Sequence, residues 1–123
     1  MTMSTLLFVA ASVEAATGLA LVIHPSIVAQ FLLGEGLTGV GIVVGRVGGL
    51  GLLTLGMACW PRRTETAGKT PPRRAMLSYN LLVSMYLVVL GIGGQTVGVL
   101  LWPAFAFHAV VALLLARAWF AKP

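Results

Sequence analysis

The chain is built from long blocks of apolar residues broken at intervals by short polar or glycine- and proline-rich segments. A spanning helix needs about 20 consecutive, mostly apolar residues, and four blocks qualify. The first runs from Thr5 to Ile23 and is followed by His24-Pro25, where proline disfavours a helical predecessor and ends or kinks the helix. The segment 26–33, SIVAQFLL, is apolar but too short to span. It predicts a short helix at the membrane surface, capped by Ser26 and ended by Gly34, or a kinked extension of the first span. Further spans are expected over 37–60, 75–93 and 98–120, with a polar loop over 61–74 and a tight GGQTVG turn between the last two. The fold class is therefore all-α: one transmembrane domain of four helices in a bundle, with a short surface helix after the first.

Composition agrees with lipid as the solvent. Of 123 residues, 59% are hydrophobic and only 9% charged, against about a quarter charged in soluble domains. The net charge of +5 does not describe a nucleic-acid platform, because that needs an exposed basic face. Arg62, Arg63, Lys69, Arg73 and Arg74 cluster in the 61–74 loop, and Arg117 and Lys122 lie at the C-terminus. By the positive-inside rule this places both termini and the basic loop in the cytoplasm. Trp60, Trp102 and Trp119 fall near span ends, where amphipathic rings favour the interface. A cleavable leader ending near Val13-Glu14-Ala15 is disfavoured: no positive segment precedes the apolar run, which continues past that point.

Glycine is concentrated in the second span. Gly41, Gly45 and Gly49 recur every four residues and share one helix face. In lipid, small residues let backbones approach closely, so this face is expected to pack on another helix. It is not a phosphate loop, which requires a strand before it and a helix after it. The lone Cys59 forms no intrachain disulfide and no cysteine-based metal site; a buried, inert thiol is the expectation. Tyr79 and Tyr86, seven residues apart, share a face and are assigned packing or lipid-facing roles.

Ionisable groups inside spans carry the chemical interest, since each costs about 2.5–3.5 kcal/mol at the helix centre. Glu14 lies mid-way along the first span, Arg46 near the middle of the second and His108 close to the midpoint of the fourth. Antiparallel spans place mid-span residues at one depth, so the three are expected in one layer. Asn80 and Ser84, one turn apart, give the third span a polar side nearer one end of the bundle. One reading is a buried Glu14–Arg46 ion pair that fixes helix register. The other is a mid-membrane pocket for a head group, a quinone or a proton. A third is an interface with a partner subunit. A two-histidine metal or haem site is disfavoured, because His24 sits about half a membrane from His108. There is no aspartate, and Glu35 and Glu65 lie in loops, so no carboxylate pair or Ser/His/Asp set presents itself.

Glu14 with Gly18, then Pro25, then Arg46 with Gly49, Leu52, Leu53 and Gly56 resembles the small four-span DoxX-like proteins of bacteria. The resemblance covers mainly the first two spans. It implies a four-span fold in the bacterial inner membrane and, from the family's namesake, a link to quinone-coupled oxidation. Three functions follow as expectations. The first is a scaffold, accessory subunit or binder of a lipid- or quinone-type small ligand, with no catalytic residues of its own. The second is a membrane subunit of a quinone-linked oxidoreductase. The third is a small oligomeric transporter or proton channel, since four short spans leave little room for a pore within one chain. Expected partners are membrane lipids and either further copies of the chain or a partner membrane subunit.

Overall fold

A computed structural model describes residues 2–61 and 70–121. Arg62, Arg63, Glu65, Lys69 and Lys122 lie outside the described residues. Helices are the only regular elements among those described: α1 (Met3–Ile23), α2 (Pro25–Leu33), α3 (Val40–Ala58), α4 (Thr70–Gly93) and α5 (Leu101–Phe120). All but α2 are long and apolar enough to cross a membrane, so the chain is an all-α, multi-pass membrane protein.

The boundaries follow from local chemistry. Thr2 caps α1 by accepting from the Thr5 amide at 3.2 Å. His24 leaves the helical region at φ −144°, and Pro25 opens α2 at a first-turn position where its missing N–H costs nothing. Ser26 does not cap α2. Its hydroxyl instead accepts from the Leu37 amide at 3.0 Å and pins the loop that follows. Gly34 ends α2 at φ +85°, a left-handed conformation that side chains resist. Gly39, at φ +53°, delays α3 until Val40, three residues after the expected start. α4 starts five residues before its expected start because Pro71 and Pro72 fit a first turn. α5 starts at Leu101, since residues 94–100 are used in a loop that docks on α2.

The helices pack as two pairs, α1 with α3 and α4 with α5, with thinner contact between the pairs. Glycine makes the first pairing close. A Cβ on Gly18 would meet the Leu53 nitrogen at 2.5 Å, and one on Gly49 would meet the Gly18 oxygen at 2.7 Å. A Cβ on Gly56 would stand 2.7 Å from the Ala11 oxygen. Backbone thus lies against backbone along this crossing, the packing mode small residues permit in lipid. Gly45 sits beyond it, facing Pro25 and Leu37, and Gly41 meets only Leu37, at ordinary contact distance. The contact face of α3 is therefore Gly49 and Gly56, two turns apart, with Gly45 against α2 and the loop. In the second pair the Trp102 ring covers Gly91.

Two features join the pairs. Near the chain termini, Leu6, Ala10, Cys59, Met76, Val111 and Leu115 form a buried apolar core drawn from α1, α4, α5 and the end of α3. Cys59 is buried, with Sγ 3.5 Å from the Pro72 carbonyl oxygen. At the opposite end, the Gly98 and Leu100 amides donate to the Leu32 and Phe31 carbonyls at 3.0 and 2.9 Å. These are carbonyls that the last turn of α2 leaves without helical partners. Elsewhere the surface is apolar: Val40, Val43, Val47, Met57, Tyr86 and Ile92 are all more than half exposed. Such a surface suits lipid.

Candidate functional site

The antiparallel register sets which mid-span groups meet. On α4 and α5 it brings Asn80 opposite His108, and His108 Nδ1 lies 2.8 Å from Asn80 Oδ1. Asn80 Nδ2 donates to the Met76 carbonyl one turn back, at 2.8 Å. That fixes the amide orientation and leaves Oδ1 as an acceptor. The proton between the two residues therefore belongs to His108 Nδ1. α1 contributes Glu14, whose Oε1 stands 3.6 Å from the same Nδ1. Glu14 and Asn80 are almost wholly excluded from solvent, at 1% and 0% exposure. Tyr79 neighbours both groups: its ring meets His108 edge-on at 5.7 Å, and it lies beside the Glu14 carboxyl without a hydrogen bond to Oε1. Phe107 closes the other side of the imidazole at 5.4 Å.

The resulting layer is short of one donor. His108 Nδ1–H is engaged by Asn80 and too far from Glu14 for a good hydrogen bond. Glu14 Oε1 is buried with no hydrogen-bond partner. Buried polar atoms left in this state are rare and costly. Beside the layer, α1 and α5 leave an apolar groove of about 340 Å³ lined by Leu6, Val9, Phe107, Val110 and Leu114. Phe107 belongs both to this groove and to the wall of the imidazole. None of Glu14, Asn80 and His108 lines the groove itself.

Arg46 is not part of the layer, and the expected Glu14–Arg46 ion pair does not form. The close approaches between α1 and α3 pair Gly49 with Gly18 and Val22, and Gly56 with Ala11 and Ala15. In that register Arg46 falls opposite the end of α1, and its Nε donates to the Val22 carbonyl at 3.2 Å. Val22 lies eight residues beyond Glu14, about 12 Å along the helix. A second span starting at Leu37 makes Arg46 its tenth residue and puts it mid-membrane. With α3 starting at Val40, Arg46 is the seventh residue and lies nearer the helix end. Ser84 is buried one turn beyond Asn80, but its hydroxyl donates to Leu81 on its own helix at 2.9 Å. Sequence reading gives Tyr79 a packing or lipid-facing role and passes over Phe107. Their place beside Asn80 and His108 in the chain is the available signal.

Among the described residues no group of three His, Cys, Asp or Glu side chains gathers as a metal site. In comparisons with known proteins, no family model matches the chain, and no curated protein and no solved structure is matched either.

Proposed function

We propose that this is a membrane-embedded binding protein, an accessory subunit or carrier of a small lipid-soluble ligand of the quinone type, held by Glu14, Asn80 and His108. The observation that carries the reading is the buried Glu14 Oε1 without a partner, 3.6 Å from an imidazole that is already engaged. A quinol hydroxyl supplies the donor this atom lacks, while the apolar groove beside Phe107 suits a ring substituent or isoprenoid tail. The likeness of residues 14–56 to DoxX-like proteins supports the same ligand class and a bacterial inner membrane. On this reading any oxidation belongs to a partner subunit.

The test is purification in mild detergent, solvent extraction and identification of the extracted lipid, with short-chain quinol titration followed by tryptophan fluorescence. Saturable quinol binding that Glu14→Gln and His108→Gln each weaken supports the proposal. Equal response of wild type and both variants removes it. The Glu14–His108 approach also favours a second reading, a proton carried across mid-membrane by an oligomer. Proton flux in liposomes that Glu14→Gln abolishes, without quinol binding, selects that reading.

A further inference from the structure

Arg46 has left the polar layer, yet it remains an ionised side chain on a spanning helix. Its neighbours along that face of α3, Val43, Val47 and Leu50, are all more than half exposed, and Arg46 is itself exposed. The guanidinium lies at the depth where α1 ends and α2 begins, with Nε engaged by the Val22 carbonyl. Among the described residues, no carboxylate comes within ion-pair distance of it, and no other acceptor receives its remaining N–H groups. The Val22 bond occupies Nε and leaves the terminal nitrogens without a protein acceptor among the described residues. A planar donor fork matches phosphate oxygens. Val47 and Leu50, exposed on the mid-membrane side of it, match acyl chains.

We propose that Arg46 is a binding site for the phosphate of an anionic phospholipid whose chains run toward mid-membrane along the Val47–Leu50 side of α3. An amphipathic molecule satisfies both halves of the surface at once: an anion for the guanidinium and hydrocarbon for Val47 and Leu50. A free phosphate meets only the first, and an apolar helix only the second. Arg46 thus has two roles, closing the end of α1 from inside the protein and holding a lipid outside it.

Native mass spectrometry of the protein released from nanodiscs of mixed phosphatidylglycerol and phosphatidylcholine tests this. The wild type is expected to retain phosphatidylglycerol preferentially. Arg46→Gln is expected to lose about fivefold in that preference, the factor for roughly 1 kcal/mol per basic residue near a lipid surface. Arg46→Lys keeps the charge without the fork and is expected to fall between the two. Should Arg46→Gln fail to fold, wild-type thermal stability at rising phosphatidylglycerol fraction decides the matter. A rise that high salt cancels supports the site, and a flat response overturns it. Equal retention of both lipids by wild type overturns it too, as does full stabilisation by inorganic phosphate in lipid-free detergent. An Arg46-dependent dimer with no lipid preference also overturns it and gives the guanidinium to a second chain.

Discussion

His108 is held from two sides by groups that want the same proton. Asn80 takes the Nδ1 hydrogen, and Glu14 is left 3.6 Å away. Removing either neighbour therefore changes what the imidazole can do for the other. A double-mutant cycle of Glu14→Gln with His108→Gln is expected to show coupling between about 0.5 and 3 kcal/mol in detergent unfolding, as contacting polar residues do. The cycle of Glu14→Gln with Arg46→Gln is expected to add within about 0.5 kcal/mol, because the two share no partner. Strong coupling in the second cycle contradicts the register described above. Asn80→Ala removes the imidazole's acceptor and frees the Met76 carbonyl, and is expected to cost about 1 kcal/mol, within the range for interhelical polar contacts in membranes. Glu14, Asn80 and His108 stand out in the chain as polar groups in long apolar runs, but the sequence reading set Arg46 in one layer with Glu14 and His108 and put Asn80 nearer one end of the bundle. Which of them touch was not legible, since depth depends on helix starts. Gly39 and the docking of Gly98 move those starts by three residues each.

At the scale of the helix, the glycines of α3 divide into two sets that composition does not distinguish. Gly49 and Gly56 face α1 backbone, whereas Gly48 and Gly51 have open space where a side chain would begin, with no atom within 4 Å. Gly49→Leu and Gly56→Leu are each expected to destabilise by about 1–3 kcal/mol or more, since the atoms in the way are backbone and cannot rotate aside. Gly48→Leu and Gly51→Leu are expected to stay within about 0.5 kcal/mol of wild type, as surface changes do. Melting temperatures of the four variants in one detergent check this, and equal damage in all four contradicts the α1–α3 crossing. The glycine content of α3 announces that it packs closely on something. It does not announce which of them make contact, because glycines at 41, 45, 48, 49, 51 and 56 spread over an arc of roughly 160° of the helix.

For the whole molecule, the five-helix order places the α2 segment and the 94–100 loop at one end, and the N-terminus, the end of α3 and the start of α4 at the other. Arg73 and Arg74 in the first turns of α4 and Arg117 in the last turn of α5 belong to that second end. By the positive-inside rule we expect it to face the cytoplasm. Alkaline phosphatase fused at Gly68 is expected to be inactive and the same enzyme fused at Gln95 active; the opposite pair of results inverts the orientation. The four-span count was readable from hydropathy alone, because long apolar runs need no tertiary information. The pairing of helices was not, since every span is similarly apolar and only backbone clearance at glycine separates one neighbour from another.

The two-pair architecture has a consequence for how the chain tolerates being cut. Each half, residues up to Pro61 and residues from Thr70 onward, contains its own antiparallel partner. Severing the peptide between them removes no helix–helix crossing. Two separately translated fragments are therefore expected to insert independently and then recognise each other. The recognition surface is narrow: the apolar end core, the approach of Glu14 to His108 and two main-chain bonds from Gly98 and Leu100 to α2. Gly98→Leu, which would drive a side chain into the Phe31 carbonyl, should abolish co-purification of tagged halves while leaving each half inserted. Complementation of this kind would make the protein a two-piece assembly, with the buried Glu14 at the joint between the pieces.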